Sequence, residues 1–174
     1  MSPDGVTLNL IIRELQEMLI PGRVERIYQP EKQEIVLNLR SSRKSLQLLI
    51  SAQAENARLH LTTQEKKNPL TPPLFCTVLR KYLEGSRLTA IQQKGLDRVV
   101  NLSFSRIAES GEFQDLVLVV EIMGKHSNII LLDPSNRIID GIKRYSHTLS
   151  RYREVLPGRE YVAPPSQKKV HPMD

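Results

Sequence analysis

The stretch DLVLVVEIMGKHSNIILLDPSNRIIDGI, residues 115–142, decides the fold. Its runs 115–123 and 128–133 are dense in Val, Ile and Leu, short, and bounded by turn formers, so they read as strands rather than helices. Gly124-Lys125-His126-Ser127 joins them, Pro134-Ser135-Asn136 turns the chain again, and Arg137 to Ile142 supplies a third strand. These three segments form a meander.

Upstream of it, apolar residues recur with a period of two at Ile35, Leu37 and Leu39, at Leu46, Leu48 and Ile50, at Leu59 and Leu61, and at Val100, Leu102 and Phe104, marking half-buried strands. Two segments break that rhythm. Leu8, Ile11, Ile12, Leu15 and Leu19 fall at helical spacing between a capping Asp4 and the stop signal Pro21-Gly22, which predicts a helix over 5–20. A second helix is predicted from Thr71 as cap, with Pro72 and Pro73 in its first turn and Phe75, Val78, Leu79 and Tyr82 on one face, ending at Gly85. Because the strands follow one another through short turns, the fold class is α+β, with a largely antiparallel sheet and two main amphipathic helices. Residues 1–162 are expected to form one domain, with 163–174 as a Pro- and Lys-bearing linker or tail, and 62–70 as a mobile basic loop.

The chain has 174 residues, 40% of them hydrophobic, enough for a core of its own. No run approaches the about 20 apolar residues of a membrane helix, and no signal-peptide pattern opens the chain, so the expected compartment is the cytoplasm. The single Cys76 lies on the apolar side of its helix as a small buried hydrophobe, and His60, His126, His147 and His171 lack zinc-motif spacing, so neither metal nor cofactor is expected. No P-loop, nucleophile elbow or dinucleotide fingerprint is present, and no enzymatic activity is expected.

Net charge is +6, and residues 141–174 carry seven Lys or Arg against three Asp or Glu. That bias suits a polyanion, whose counterions are released on binding, and equally an ordinary solvated surface. Within it, Tyr145 and Tyr152 are interleaved with Lys143, Arg144, Arg151 and Arg153, a pattern that offers bases a stacking surface. Lys66, Lys67, Arg80 and Lys81 extend the possible basic surface.

Three places combine chemistry with a defined position. Asp97 and Arg98 stand at the start of the strand of Val100, Leu102 and Phe104. There an Arg can grip a phosphate or a guanine edge, and an Asp can accept from exocyclic amines or a ribose hydroxyl; a plain surface turn is the other reading. Asp4 is most simply the cap of the first helix. Gly124-Lys125-His126-Ser127-Asn128 sets a cation, an imidazole and two small hydrogen-bonding residues in a turn, able to hold a phosphate or merely to close a hairpin.

Four segments together resemble the N-terminal domain of the NFACT family, which includes bacterial RqcH, eukaryotic NEMF and proteins named fibronectin-binding protein A. They are Asp4-Gly5-Val6 with Arg13-Glu14-Leu15; Asn68-Pro69 with Pro72-Pro73-Leu74-Phe75-Cys76 and Leu79-Arg80-Lys81-Tyr82-Leu83; Gly95-Leu96-Asp97-Arg98; and Met123 to Leu131, followed by Val155 to Tyr161. Their order and spacing match over essentially the whole chain. The resemblance implies a fold like the N-terminal domain of Fpg-type DNA glycosylases. It also implies the role of a tRNA- and large-ribosomal-subunit-binding module in ribosome-associated quality control.

Family members act on a large subunit still holding peptidyl-tRNA, guiding tRNA, in bacteria alanine tRNA, so that a C-terminal tail is added without mRNA. On this resemblance Asp97 and Arg98 take part in tRNA recognition, Asp4 is linked to tailing, and Lys125, His126, Ser127, Asn128, Arg80, Lys81, Lys143 and Arg144 are RNA-contact candidates. The helix-hairpin-helix, coiled-coil and C-terminal RNA-binding modules of the family lie outside these residues. Glycosylase chemistry is not expected, because it needs an N-terminal proline amine and here proline is residue 3. The competing reading is a surface adhesin for fibronectin, for which these residues provide no export signal.

Overall fold

The structure is a computed structural model and describes residues 4–94, 97–148 and 152–165. Helix α1 spans Gly5–Leu19 and buries Leu8, Ile12, Leu15 and Leu19, the stripe its periodicity predicts. Four strands follow, β1 Gly22–Glu31, β2 Glu34–Ser41, β3 Lys44–Ser51 and β4 Arg58–Thr62, and then helix α2, Leu74–Leu83. The remaining strands are β5 Arg87–Gln93, β6 Val99–Ile107, β7 Phe113–Glu121, β8 Asn128–Leu132 and β9 Ile138–Gly141, with a 3₁₀ turn at Gly124–His126.

Among the described residues all strands join one antiparallel sheet of nine, in the order β4-β3-β2-β1-β5-β6-β7-β8-β9, so the fold is α+β as expected. It consists of two well-paired ribbons meeting at a narrow seam. β6 pairs with β7 from Val99 opposite Glu121 to Ile107 opposite Phe113. β1 meets β5 at Gly22 opposite Leu88 and Arg23 opposite Arg87. At the seam, a Cβ on Gly22 would collide with the Leu19 carbonyl, so the sharp passage from α1 into β1 requires glycine.

The main core lies between the helices and the inner faces of both ribbons, and includes Leu15, Leu37, Leu48, Leu79, Leu102 and Leu118. A second, smaller core covers the opposite face of β7 and β8, where Val119, Ile130 and Leu132 pack against Ile138 and Val155. β8 is therefore buried on both faces, which is why residues 128–132 do not alternate. At about 1.5–3 kcal/mol for each fully buried aliphatic side chain, this second layer is a substantial part of the stabilisation. Its cover is the segment after β9. Tyr145 bridges to Val155 and Arg137 to Glu160, and a Cβ on Gly141 would stand 2.8 Å from Val155 Cγ1, so the close approach of this strap needs a glycine in β9.

Three expectations change. Helix α2 begins at Leu74 with Pro73 as cap, not at Thr71, because the ring of Pro73 disfavours helical geometry at Pro72. The loop 62–70 is anchored, since Lys66 Nζ pairs with the buried carboxylate of Glu34 at 2.6 Å. Strands β1 and β5 are additional to those predicted. Of the basic residues singled out, Arg151 lies outside the described residues, as does the tail from 166 onward.

Candidate functional site

Asp4 comes together with Asp97 and Arg98, 93 and 94 residues further along the chain, at one end of the sheet. Asp4 caps α1, its Oδ1 accepting from Thr7 N–H at 2.7 Å. Asp97 and Arg98 belong to the loop joining β5 to β6, where Asp97 N–H donates to the Lys94 carbonyl at 3.0 Å. One side chain links the two: Gln93 Nε2 donates to the carbonyls of Gly5, at 3.0 Å, and Asp97, at 2.9 Å. The Asp4 carboxyl is held below its ordinary range by the Thr7 hydrogen bond first and, among smaller causes, by the positive charge of Arg98. Asp97 and Arg98 are half-buried rather than exposed, because the loop folds onto the end of β7 and Ile122 N–H donates to the Arg98 carbonyl at 2.8 Å. Gly95 and Leu96, between them and Lys94, lie outside the described residues.

Ile122 and Met123 lead directly into the turn at Gly124, so the second predicted place adjoins the first. Within that turn Lys125 and His126 are exposed. Ser127 and Asn128 are not. The Ser127 hydroxyl accepts from Met123 N–H at 2.7 Å, and Asn128 clasps Lys143, its Oδ1 accepting from Lys143 N–H at 3.0 Å and its Nδ2 donating to the Lys143 carbonyl at 3.1 Å. Both side chains build the turn instead of facing a ligand. That clasp brings Lys143 and Arg144 beside Lys125: Lys143 Nζ reaches the Lys125 carbonyl at 3.4 Å, and partial burial lowers the lysine's pKa. Arg144 Nε bonds the buried Asp140 at 2.8 Å, which raises its pKa and leaves the outer edge of the guanidinium toward solvent.

Arg153 departs most from the reading of the basic segment as an RNA-facing surface. It is 5% exposed and forms a two-pronged ion pair with the fully buried Glu121 of β7, Nη1 to Oε2 at 2.8 Å and Nη2 to Oε1 at 2.5 Å. Tyr161 donates its hydroxyl to the same carboxylate at 2.7 Å. Burial opposes the Arg153 charge, yet the Glu121 carboxylate more than offsets this, so its pKa is raised; burial, together with Glu121, also pushes the Tyr161 hydroxyl up. This triad fastens the strap across the second core. It also builds a cleft of about 670 Å³, in which Tyr152, Tyr161 and Pro164 face Lys94, Asp97 and Asn101. A neighbouring hollow continues past Tyr152 to Met123, Tyr145 and His126.

Arg80 and Lys81 are elsewhere. Arg80 Nε donates to the Ile27 carbonyl at 2.7 Å and its guanidinium lies 5.6 Å from the Tyr28 ring centre, so it ties α2 to β1. Lys81 sits at the far end of β6, where Arg106 Nη1 donates to the Lys81 and Tyr82 carbonyls at 3.2 Å each. The seven steps from Val99 to Arg106 put that corner roughly 23 Å from the Asp97 loop. Cys76 is buried, and burial raises its thiol pKa, in keeping with a packing role. Among the described residues no group of three or more His, Cys, Asp or Glu is arranged to hold a metal ion.

Sequence reasoning missed Gln93 and the Glu121 triad. A signal for the second existed: a lone carboxylate inside the apolar run 116–122 calls for a buried cationic partner.

This architecture is that of the solved N-terminal domains of streptococcal fibronectin-binding proteins. The N-terminal structure of the fibronectin/fibrinogen-binding protein from Streptococcus suis matches with a TM-score of 0.91 at 44% identity, covering 94% of this chain and 62% of that one. The N-terminal domain of fibronectin-binding protein PavA from Streptococcus pneumoniae matches at 0.90 and 43%, covering 95% and 65%. The chain belongs to the NFACT family: the family's N-terminal and middle domains match residues 4–174. The Rqc2 homolog RqcH of Bacillus subtilis is 42% identical over 175 residues, covering 100% of this chain and 31% of that protein. Ribosome quality control complex subunit 2 of Saccharomyces cerevisiae is 32% identical over 137 residues, 78% of this chain and 12% of that protein. The chain thus spans about a third of the length of its bacterial curated relatives.

Proposed function

We propose that this chain is the tRNA- and large-subunit-binding part of a ribosome quality-control factor, working in the cytoplasm on ribosomes and supporting mRNA-independent alanine tailing of stalled chains. The observation that carries the reading is the convergence of Asp4, Asp97 and Arg98, held together by Gln93, beside the exposed Lys125 and His126. A relative matched over 78% of this chain is named ribosome quality control complex subunit 2, and one matched over all of it is named an Rqc2 homolog, which supports the same reading.

The chemistry suits RNA. A guanidinium fixed at the root of a loop can make paired hydrogen bonds to a phosphate or a guanine edge, or stack on an unpaired base. The adjacent carboxylate accepts from a base amine or a ribose hydroxyl and disfavours bare phosphate, so the pair selects rather than merely attracts. Lys125, Lys143 and Arg144 add attraction without sequence preference. In this reading the domain binds and positions, and the ribosome makes the peptide bonds.

Retention on the immobilised protein tests the reading. Alanine tRNA and large ribosomal subunits are expected to be held, and Arg98→Ala to release tRNA. Fibronectin held at low micromolar affinity, with neither RNA retained, would replace this reading by the adhesin.

A further inference from the structure

Arg13, on the exposed side of α1, has no part in the recognition described above. It lines a groove of about 510 Å³ between α1 and the β5–β6 ribbon. The helix wall carries Asn9 and Arg13, the floor carries the cross-strand pair Gln92 and Asn101, and Lys94 stands at the rim. Among the described residues no acidic side chain lines it. Among the described residues neither Arg13 nor Lys94 forms an ion pair, whereas Arg144, Arg153 and Arg159 each do.

The walls are fixed from within. Gln16 Nε2 donates to the Ile91 carbonyl at 2.6 Å, and Gln93 holds the helix start to the Asp97 loop. Lys94 and Asn101 also line the cleft that contains Asp97, so groove and cleft meet at these two side chains, and a strand crossing them would follow one track. From Asp4 to Arg13 the helix rises roughly 13 Å, a span of several nucleotides.

We infer that this groove carries the sugar–phosphate backbone of the RNA strand engaged at Asp97 and Arg98, with Arg13 and Lys94 on phosphates and Asn9, Gln92 and Asn101 on phosphate or ribose oxygens. The inference rests on the RNA-binding reading proposed above. Two cations with no acid between them favour a polyanion. The amides both donate and accept, which matches a 2′-hydroxyl alternating with phosphate and does not discriminate among bases. With mainly polar walls, the groove has little to offer an apolar side chain, which argues for a nucleic-acid strand over a peptide.

The salt dependence of tRNA binding by the full-length protein tests this, because each phosphate contact contributes about 0.7–0.9 to the slope of log affinity against log salt. The double variant R13Q/K94Q is expected to bind roughly tenfold more weakly near 100 mM salt, with the slope lowered by about 1.5 and the melting temperature unchanged. Arg13→Lys restores the Arg13 share of the slope. Gln92→Glu, which puts a carboxylate in the floor, weakens binding in the same direction without touching either cation. Wild-type affinity and slope in R13Q/K94Q, with Arg98→Ala still impaired, would overturn the track and leave recognition at Asp97 standing. A wild-type protein that binds no tRNA would overturn both, and displacement of tRNA by polyglutamate as effectively as by RNA of equal charge would assign the groove to acidic peptides.

Discussion

At the α2 end of the sheet, Arg80 donates to the Ile27 carbonyl and Arg106 to the Lys81 and Tyr82 carbonyls. At the Asp97 end, Lys94, Lys125 and His126 are exposed side chains raised on a framework held by Gln93, Ser127 and Asn128. The two ends are similar in composition and opposite in use. A cation whose donors are committed to main-chain carbonyls joins elements of the fold, and a cation raised on an already satisfied loop can address a ligand. Basic residues therefore locate an interface only after their hydrogen bonds are known.

The sharpest challenge to this division is Arg153, which sits at the Asp97 end yet is committed inward. Glu121→Ala is expected to cost about 3–5 kcal/mol in urea unfolding, since it leaves the Arg153 charge buried and unpaired. It should also abolish tRNA binding by releasing the Tyr161 wall of the cleft. Arg80→Ala is next, at about 1–3 kcal/mol from the lost ring contact and from an Ile27 carbonyl left with only the weak Cys76 thiol donor, with tRNA affinity per folded molecule unchanged. Loss of tRNA affinity without loss of stability in Arg80→Ala would merge the two ends. Asp97→Ala and Arg98→Ala reverse the pattern: under about 1 kcal/mol in stability, with tRNA binding and tailing impaired.

The smallest effect is at Asp4. Its folded-state pKa lies below the ordinary value of 3.8, so its carboxylate contributes stability that is present above that value and lost as pH falls through the lower folded one. The stability difference between wild type and Asp4→Asn, followed by urea unfolding from pH 6 down to pH 2, is expected to vanish at the acid end, while tRNA binding at neutral pH is weakened in the variant less than in Asp97→Ala.

The regular elements were largely legible in the sequence. α1, the meander of β7 to β9 and the strands β2, β3, β4 and β6 follow from periodicity and turn signals: β2–β3, β3–β4, β6–β7 and β7–β8 pair without a slip, and the shift between Leu131 and Leu132 falls only in the pairing of β8 with β9. β1 and β5 were not, and both carry bulges, between Val24 and Arg26 and between Leu88 and Ala90, that shift the apolar residues out of alternation. Asp97 and Arg98 were legible as chemistry, whereas their half-burial depends on the loop folding onto Ile122 and their nearness to Asp4 on Gln93, both tertiary. Ser127 and Asn128 were legible as turn formers; that their side chains face inward follows from the Met123 N–H held by Ser127 and from the clasp of Asn128 on Lys143, 15 residues downstream. For Arg153, charge along the chain pointed outward, and its partner Glu121 is 32 residues away.

The central claim is that the Asp4, Asp97 and Arg98 corner selects RNA. The most direct measurement is sequencing of the RNA that copurifies with full-length wild-type and Asp97→Ala protein. Enrichment of alanine tRNA together with large-subunit RNA in the wild type, with the tRNA lost and the ribosomal RNA kept in the variant, is the predicted result. An identical RNA profile from the two proteins would contradict it.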